Sequence, residues 1–442
     1  MTKAEYSKMM EDRQKYFYGG MREPDFLKGI VALRGENSTI WIHDGQKERP
    51  VIDANSGCWG PVAIGYSNPY YLNALSKQAK KLVHTVFVSD IATEFSREIA
   101  SITPKGFDKS FLVTCPSHAN EAAMRLCWEV TGKWGMIAVR QAYHGMTLNV
   151  KNTTSRDRPH RKINYPSSPY YTALMPNCYC YRCPFGLEYP SCGYRCAYAL
   201  EDIIKYSPHP IAALIMEPIQ QANFSFPPSK EYFQIIGKIC KAHGIYLIVD
   251  EAHYGGVGRL GTWFASQLYD IPADIICTGK GIGNGLPIGV TILNEEIFKK
   301  GKDKSTIYTT HVYDPLLAAA GIAVIRYIKK NNLLLRAEKL GKHMIEEITK
   351  IQKESKIIGR VAGRGLYIGL EFVKDKETKE PFSEGLKKFH SFAFQKGVFF
   401  PPERETNLLG IRPPLTIENK DVDKIINVIS DGIKEVERGM EP

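Results

Sequence analysis

The chain has 442 residues, 43% hydrophobic and 24% charged, with a formal net charge of +11. That length suits one large domain plus a smaller one, and the composition excludes low-complexity disorder. No apolar run is long enough to span a bilayer, and no Lys/Arg block or binding motif makes the charge a nucleic-acid footprint.

The excess charge reads instead as a solvated basic surface, or as a match to an anionic cofactor or substrate. The first twenty residues, MTKAEYSKMMEDRQKYFYGG, are polar and lack the apolar core of a signal peptide. A cytoplasmic location is therefore expected.

TIWIHDGQKERPVIDA predicts two short strands around Asp44-Gly45, a hairpin signal. From about Asn68 to Ile102 the pattern predicts helices. KSFLVT reads as a strand, HANEAAMRLCWEVTG as a helix and GMIAVR as a strand. This alternation is the mark of a parallel α/β sheet. It resumes with the strand AALIMEP, the amphipathic helix SKEYFQIIGKICKAHG closed by Gly244, and the strands IYLIVDEAH, DIICTG and PIGVTILN. Beyond Pro315 come two long helices, the strands GLYIGLEFVKD and LLGIRPPLTI, and a closing helix. The expected domains are residues 1–65 (part of a small domain), 66–318 (a large domain) and 319–442 (the rest of a small α+β domain).

Ligands of open α/β sheets sit at the carboxyl ends of the strands. Glu217, Asp250 and Lys280 all fall just past such ends. A lysine amine can form an imine with an aldehyde cofactor. Glycines beside it let the backbone approach a flat ring, and Gly279, Gly281, Gly283 and Gly285 flank Lys280. An aspartate at a strand end can keep a pyridine nitrogen protonated. Taken singly, Asp250 reads better as a helix cap and Lys280 as a surface lysine in a glycine-rich loop.

The combination resembles the class III aminotransferases, of pyridoxal 5′-phosphate (PLP) fold type I. The resemblance rests on Asp250, Glu251, Gly256, Gly258, Arg259 and Gly261 in DEAHYGGVGRLG, then on KGIGNGLPIG beginning at Lys280. ANEAA (119–123), TGK (131–133), YHGMT (143–147) and MEPIQ (216–220) support it, and it runs from about Thr39 to the final helix. YTTHVYDP (308–315) and the GRGL and GLEFVKD segments look most like 2,2-dialkylglycine decarboxylase, beside the 4-aminobutyrate-type aminotransferases. The resemblance implies a large domain with a mostly parallel, seven-stranded sheet.

It also implies residue roles. Lys280 is the Schiff-base lysine and later the proton shuttle. Asp250 pairs with the pyridine nitrogen, His253 lies near the cofactor's phenolic oxygen, and Tyr143 stacks on the ring. Ser117 and His118 stand at the phosphate cup. Thr310 reaches the phosphate of the other subunit, which implies a homodimer, or a dimer of dimers, with shared sites. Glu217 lies near the substrate, where it can pair with an arginine. The implied reaction is transfer of an amino group from an amine or ω-amino acid, such as 4-aminobutyrate, to a 2-oxo acid. Decarboxylating transamination and amino-acid racemisation are the alternatives. No metal is assigned to the catalytic site.

Three places depart from the family pattern. The phosphate cup reads Cys115-Pro116-Ser117, and Pro116 lacks an N–H. The arginine that grips a substrate carboxylate is replaced by Gly410. Arg412, two residues on, would return to the same strand face, and Arg404 is a second candidate grip. Cys58 stands where the decarboxylase carries a glutamine. Separately, Cys178, Cys180, Cys183, Cys192 and Cys196 have spacings that suit zinc, an iron–sulfur cluster or disulfides, and equally a tied surface loop without catalytic role.

Overall fold

The computed structural model describes residues 2–17, 24–155, 170–402 and 406–440. Its central feature is a seven-stranded sheet in the order Lys109–Val113, Gly289–Leu293, Ile275–Gly279, Tyr246–Asp250, Ile211–Met216, Gly135–Val139, Thr172–Met175. Gly289–Leu293 runs antiparallel to both of its neighbours, and the other six strands point one way. Six carboxyl ends therefore meet at one edge.

The strand sequences explain the layering. Side chains alternate across a strand, so successive residues enter different cores. Met136, Ala138, Ala213, Ile215, Ile248, Ile275 and Cys277 join one buried cluster. Ile137, Val139, Leu214, Met216, Leu247, Val249 and Ile276 join the other. Both faces are covered, which is why these strands read as unbroken apolar runs. The helix Pro116–Thr131 buries Ala119, Ala123 and Cys127 on one face. Pro315–Lys330 buries Ala318, Ile322 and Ile325 on the other.

Two smaller sheets flank this core. One pairs Val31–Glu36, Thr39–His43 and Glu48–Asp53, and Val398–Phe399 adds in parallel to the last of these. The hairpin expected around Asp44-Gly45 is present. Asp44 Oδ1 accepts the N–H groups of Gln46 and Lys47 at 3.0 and 2.9 Å, and Gly45 takes φ +92°. The other sheet orders Ile358–Arg364, Tyr367–Phe372 and Leu408–Ile411. Val31–Glu36, Thr172–Met175 and Val398–Phe399 were not expected, nor was Ile358–Arg364. The first is a mostly exposed strand, the second has four residues and the third has two, so none of these three carries a legible period.

Among the described residues no helix is long and apolar enough to cross a membrane. Arg404 lies outside the described residues.

Candidate active site

Strand register brings the chemistry together. Asp250 closes its strand opposite Cys277, and Lys280 follows three residues after Cys277, opening the turn Lys280–Gly283 just past the end of the neighbouring strand. Lys280 takes φ +49°, a left-handed conformation costing about 1–2 kcal/mol for a residue with a Cβ. Such strain gathers at functional turns. The Lys280 Nζ lies 2.6 Å from His253 Nε2.

Asp250 is buried and held from three sides. Its Oδ2 accepts from Asn120 Nδ2 at 2.8 Å and from His144 Nδ1 at 2.9 Å, and its Oδ1 accepts the Ala252 N–H at 3.0 Å. Asn120 also donates to the His144 carbonyl at 2.8 Å. Asn120 and His144 lie within motifs quoted above but received no role there. A signal was available for Asn120. It is an amide on a helix face made of Ala119, Ala122 and Ala123, and a buried amide requires partners.

Glu217 is also buried, but it meets backbone rather than an arginine. Its two oxygens accept the N–H groups of Tyr143 and Gln221, each at 2.9 Å. Burial pushes its carboxyl above the ordinary range. Glu217 thus anchors the segment carrying the half-buried Tyr143 ring. Glu251 turns away from the site and caps the short helix Ala265–Leu268 through Ala265 and Ser266. Desolvation raises it to about 7.

Ser117 and His118 occupy the first turn of Pro116–Thr131, where N–H groups have no intrahelical acceptor. Pro116 is the N1 residue, where a missing N–H is cheap and φ is preset for a helix. The departure noted at Pro116 is thus an ordinary helix start. The Ser117 hydroxyl accepts the Met146 N–H at 3.2 Å, and His118 Nδ1 bonds Thr114 Oγ1 at 2.8 Å. Glycines press this turn onto the sheet. A Cβ on Gly279 would lie 2.6 Å from Pro116 Cγ, and one on Gly289 would lie 2.3 Å from the Cys115 carbonyl oxygen.

Residues 56–60 approach the turn after Lys280, where a Cβ on Gly281 would lie 3.1 Å from the Gly60 carbonyl oxygen. Ser56, Gly57, Cys58, Trp59 and Gly60 all have positive φ, from +50° to +88°. The turn is bolted to the segment bearing Gly410 and Arg412. Asn55 Nδ2 donates to the Gly410 carbonyl at 2.9 Å, and Ser56 Oγ to the Arg412 carbonyl at 2.6 Å. Cys58 is half-buried in this turn. Arg259 adds bonds to the carbonyls of Gly60, Arg412 and Pro413 at 3.1, 3.1 and 2.7 Å. Desolvation, then the charge of Arg412, lowers Arg259 to about 9.

Arg412 is enclosed by the protein. It is 0% exposed, with its guanidinium 5.0 Å from the Phe224 ring centroid and 5.6 Å from that of Tyr367. The reason is register. The strand ends at Ile411, and the Arg412 N–H turns to the Ala54 carbonyl at 2.8 Å, so strand alternation no longer applies. Thr310 is exposed on the segment leading to Asp314. Asp314 Oδ1 caps Pro315–Lys330, and its Oδ2 contacts His311 at 2.9 Å and His84 at 3.3 Å.

The edge therefore presents an amine, a buried carboxylate and a helix N-terminus beside one another. A family model described as aminotransferase class-III matches residues 21–433. The chain belongs to the class III aminotransferase family. It is 32% identical to a leucine/methionine racemase of Thermococcus litoralis, over 93% of this chain and 92% of that protein. It is 27% identical to a probable 4-aminobutyrate aminotransferase of Bacillus subtilis, over 91% and 93%. A solved transaminase from a directed-evolution series built by ancestral reconstruction superposes with a TM-score of 0.90 at 25% identity, covering 98% of this chain and all of that one. The α/β architecture, with its mostly parallel seven-stranded sheet, is that of PLP fold type I. These relatives include one racemase and several transferases. Membership thus names the chemistry class, and the pocket residues must choose within it.

Proposed function

We propose that this class III family enzyme binds PLP and transfers an amino group from an amine or ω-amino acid, such as 4-aminobutyrate, to a 2-oxo acid. The observation that carries the reading is the placement of the Lys280 amine and the clamped Asp250 carboxylate on adjacent strand ends, beside the N-terminus of Pro116–Thr131. An aldehyde, a pyridine nitrogen and a phosphate need those three groups. When bound, PLP supplies the aldehyde and a ring that accepts electrons from the substrate carbon.

The chain's own residues do the rest. Lys280 Nζ carries a proton to and from the substrate carbon, held in line by His253 Nε2 at 2.6 Å. Asp250 holds a proton on the ring nitrogen, and Asn120 and His144 aim it. Glu217, gripping the Tyr143 N–H, places the aromatic ring over the site. The N–H groups of Ser117 and His118 meet the phosphate. Gly410 offers no guanidinium, and Arg412 is enclosed between rings, which favours a donor that does not rely on the usual carboxylate grip. Cys58 in place of glutamine disfavours directed loss of CO2.

A homodimer completes the reading. Tyr308 (69% exposed) and Thr310 lie on one exposed segment, near in sequence to the His311–Asp314–His84 contact. Val86, Phe87 and Val88 are exposed just beyond His84. Such an apolar stretch suits a subunit contact.

Racemisation is the second reading, favoured by the 32% identity to a leucine/methionine racemase. One experiment separates the two. The PLP-loaded protein is mixed with 4-aminobutyrate, ornithine, 2-aminoisobutyrate, leucine or a simple primary amine, without acceptor. Conversion of the lysine-linked absorption band to that of the amine form of the cofactor supports transfer. Inversion of leucine without that conversion supports racemisation. Absence of the lysine-linked band, with Lys280→Ala unchanged, refutes both.

A further inference from the structure

Five of the ten cysteines cluster apart from this site. Cys178, Cys180, Cys183, Cys192 and Cys196 line one small cavity with Tyr179, Tyr194 and Pro228. All five are free thiols. Within the group, Cys178 is buried. Cys180 is exposed. Cys196 is the second residue of the helix Arg195–Lys205, where N–H groups have no intrahelical acceptor.

The surroundings favour thiolate on the two outer sulfurs. Interaction with Cys178, with the charge of Arg360 assisting, brings Cys180 down to about 7. Arg360 is fixed beside it, 4.8 Å from the Tyr179 ring centroid and donating to the Phe224 carbonyl at 3.1 Å. Interaction with Cys178 likewise lowers Cys196. Interaction with those two sulfurs, and then burial, hold Cys178 as the thiol. A metal is the less suited occupant. Among the described residues, the ligating side chains close enough to share one ion are His84, His311 and Asp314, not these sulfurs.

We propose that Cys178, Cys180 and Cys196 form a hydroperoxide-reactive oxidation site, in which Cys178 closes a disulfide with either neighbour. The Cys180 thiolate attacks the terminal peroxide oxygen. The O–O bond breaks, Cys180 becomes a sulfenic acid, and the departing alkoxide or hydroxide takes a proton. The Cys178 sulfur then attacks the sulfenic sulfur while losing its proton. The expelled hydroxide leaves with that proton as water. Two thiols are oxidised and one peroxide is reduced. The Cys196 thiolate can next attack Cys178 and expel the Cys180 thiolate, which moves the bridge and frees the exposed sulfur for another turn of reaction.

The bridge would tie the start of Arg195–Lys205 to a loop already held at both sides. Tyr179 and Arg182 bond Glu371 on the strand Tyr367–Phe372, and Ser225 bonds the Cys178 carbonyl.

The test uses the PLP-loaded protein and hydrogen peroxide at one equivalent, followed by alkylation of the remaining thiols and peptide mapping. The expected result is loss of two thiols per chain, a 178–180 or 178–196 crosslink, and at least a tenfold slower loss in Cys180→Ser. Cys178→Ser should leave a sulfenic acid on Cys180 that dimedone captures. Crosslinks confined to other cysteines, or thiols that react only after a chelator strips a bound metal, would overturn the proposal. The wild-type crosslink map decides the question even where a variant fails to fold.

Discussion

Replacing Asn120 by alanine tests whether Asp250 is aimed by its buried neighbours. The Asn120 amide donates two bonds at 2.8 Å, one to the Asp250 carboxylate and one to the His144 carbonyl. A bond to a charged acceptor contributes about 1.5–3 kcal/mol and a neutral one about 0.5–1.5, so the change should cost about 2–4.5 kcal/mol. Urea unfolding of the PLP-free protein measures it. PLP affinity, titrated on the same preparation, should fall by about tenfold or more, because a carboxylate swung away loses the ring nitrogen. Asn120→Asp gives a sharper outcome. It places a second carboxylate where the amide now sits, 2.8 Å from Asp250 Oδ2. Both cannot ionise, so the pair's folded-state pKa rises above the ordinary value of about 3.9. A carboxylate raised in the folded state loses stability as pH rises through that pKa. The deficit against wild type should therefore be larger at pH 8 than at pH 5. An Asn120→Ala change within about 0.5 kcal/mol of wild type, or an Asn120→Asp deficit independent of pH, would refute the reasoning.

Glu251 should make its own pH-dependent contribution. Burial raises it from 4.5 to about 7, so its favourable contribution, complete below pH 4.5, is lost as pH rises through 7. The interval between those values corresponds to about 3 kcal/mol. Wild-type denaturation midpoints should fall relative to those of Glu251→Gln between pH 5 and pH 8, and parallel profiles would count against it. Gly289→Ala should push back the N-terminus of Pro116–Thr131, since its Cβ would lie 2.3 Å from a backbone oxygen. A loss of about 1–3 kcal/mol is expected, with weaker PLP binding, read by thermal unfolding and cofactor titration. Unchanged PLP affinity would mean that this helix end does not hold the phosphate.

Most long elements were legible because their residues repeat a local rule. AALIM and LIV are apolar at every position, and the sheet that contains them is covered on both faces. Asn68 and Asp314 cap the helices that follow them, each with proline at N1. Short or irregular pieces escaped, as did the helices Lys3–Tyr16, Arg195–Lys205 and Ser383–Gln395. The four residues of Thr172–Met175 are too few to show a period, and Val31–Glu36 is mostly exposed, so no alternation marks it.

The candidate site divides in the same way. Asp250 and Lys280 could be grouped from the sequence alone, because each follows an apolar strand and strand ends converge in this architecture. The partners of Asp250 could not. Asn120 lies 130 residues away and His144 lies 106 away, and no local spacing encodes their meeting. The position of Arg412 also needed the folded chain. Alternation predicts its face only while the strand lasts, and the Ala54 carbonyl draws it out of the strand one residue after Ile411. By itself the sequence determined the strand–helix order, the family and the lysine and aspartate at the strand ends, since periodicity and short motifs are local properties. Only the tertiary structure decided what clamps Asp250, where Arg412 goes and which cysteines share a cavity, since those depend on contacts between distant segments.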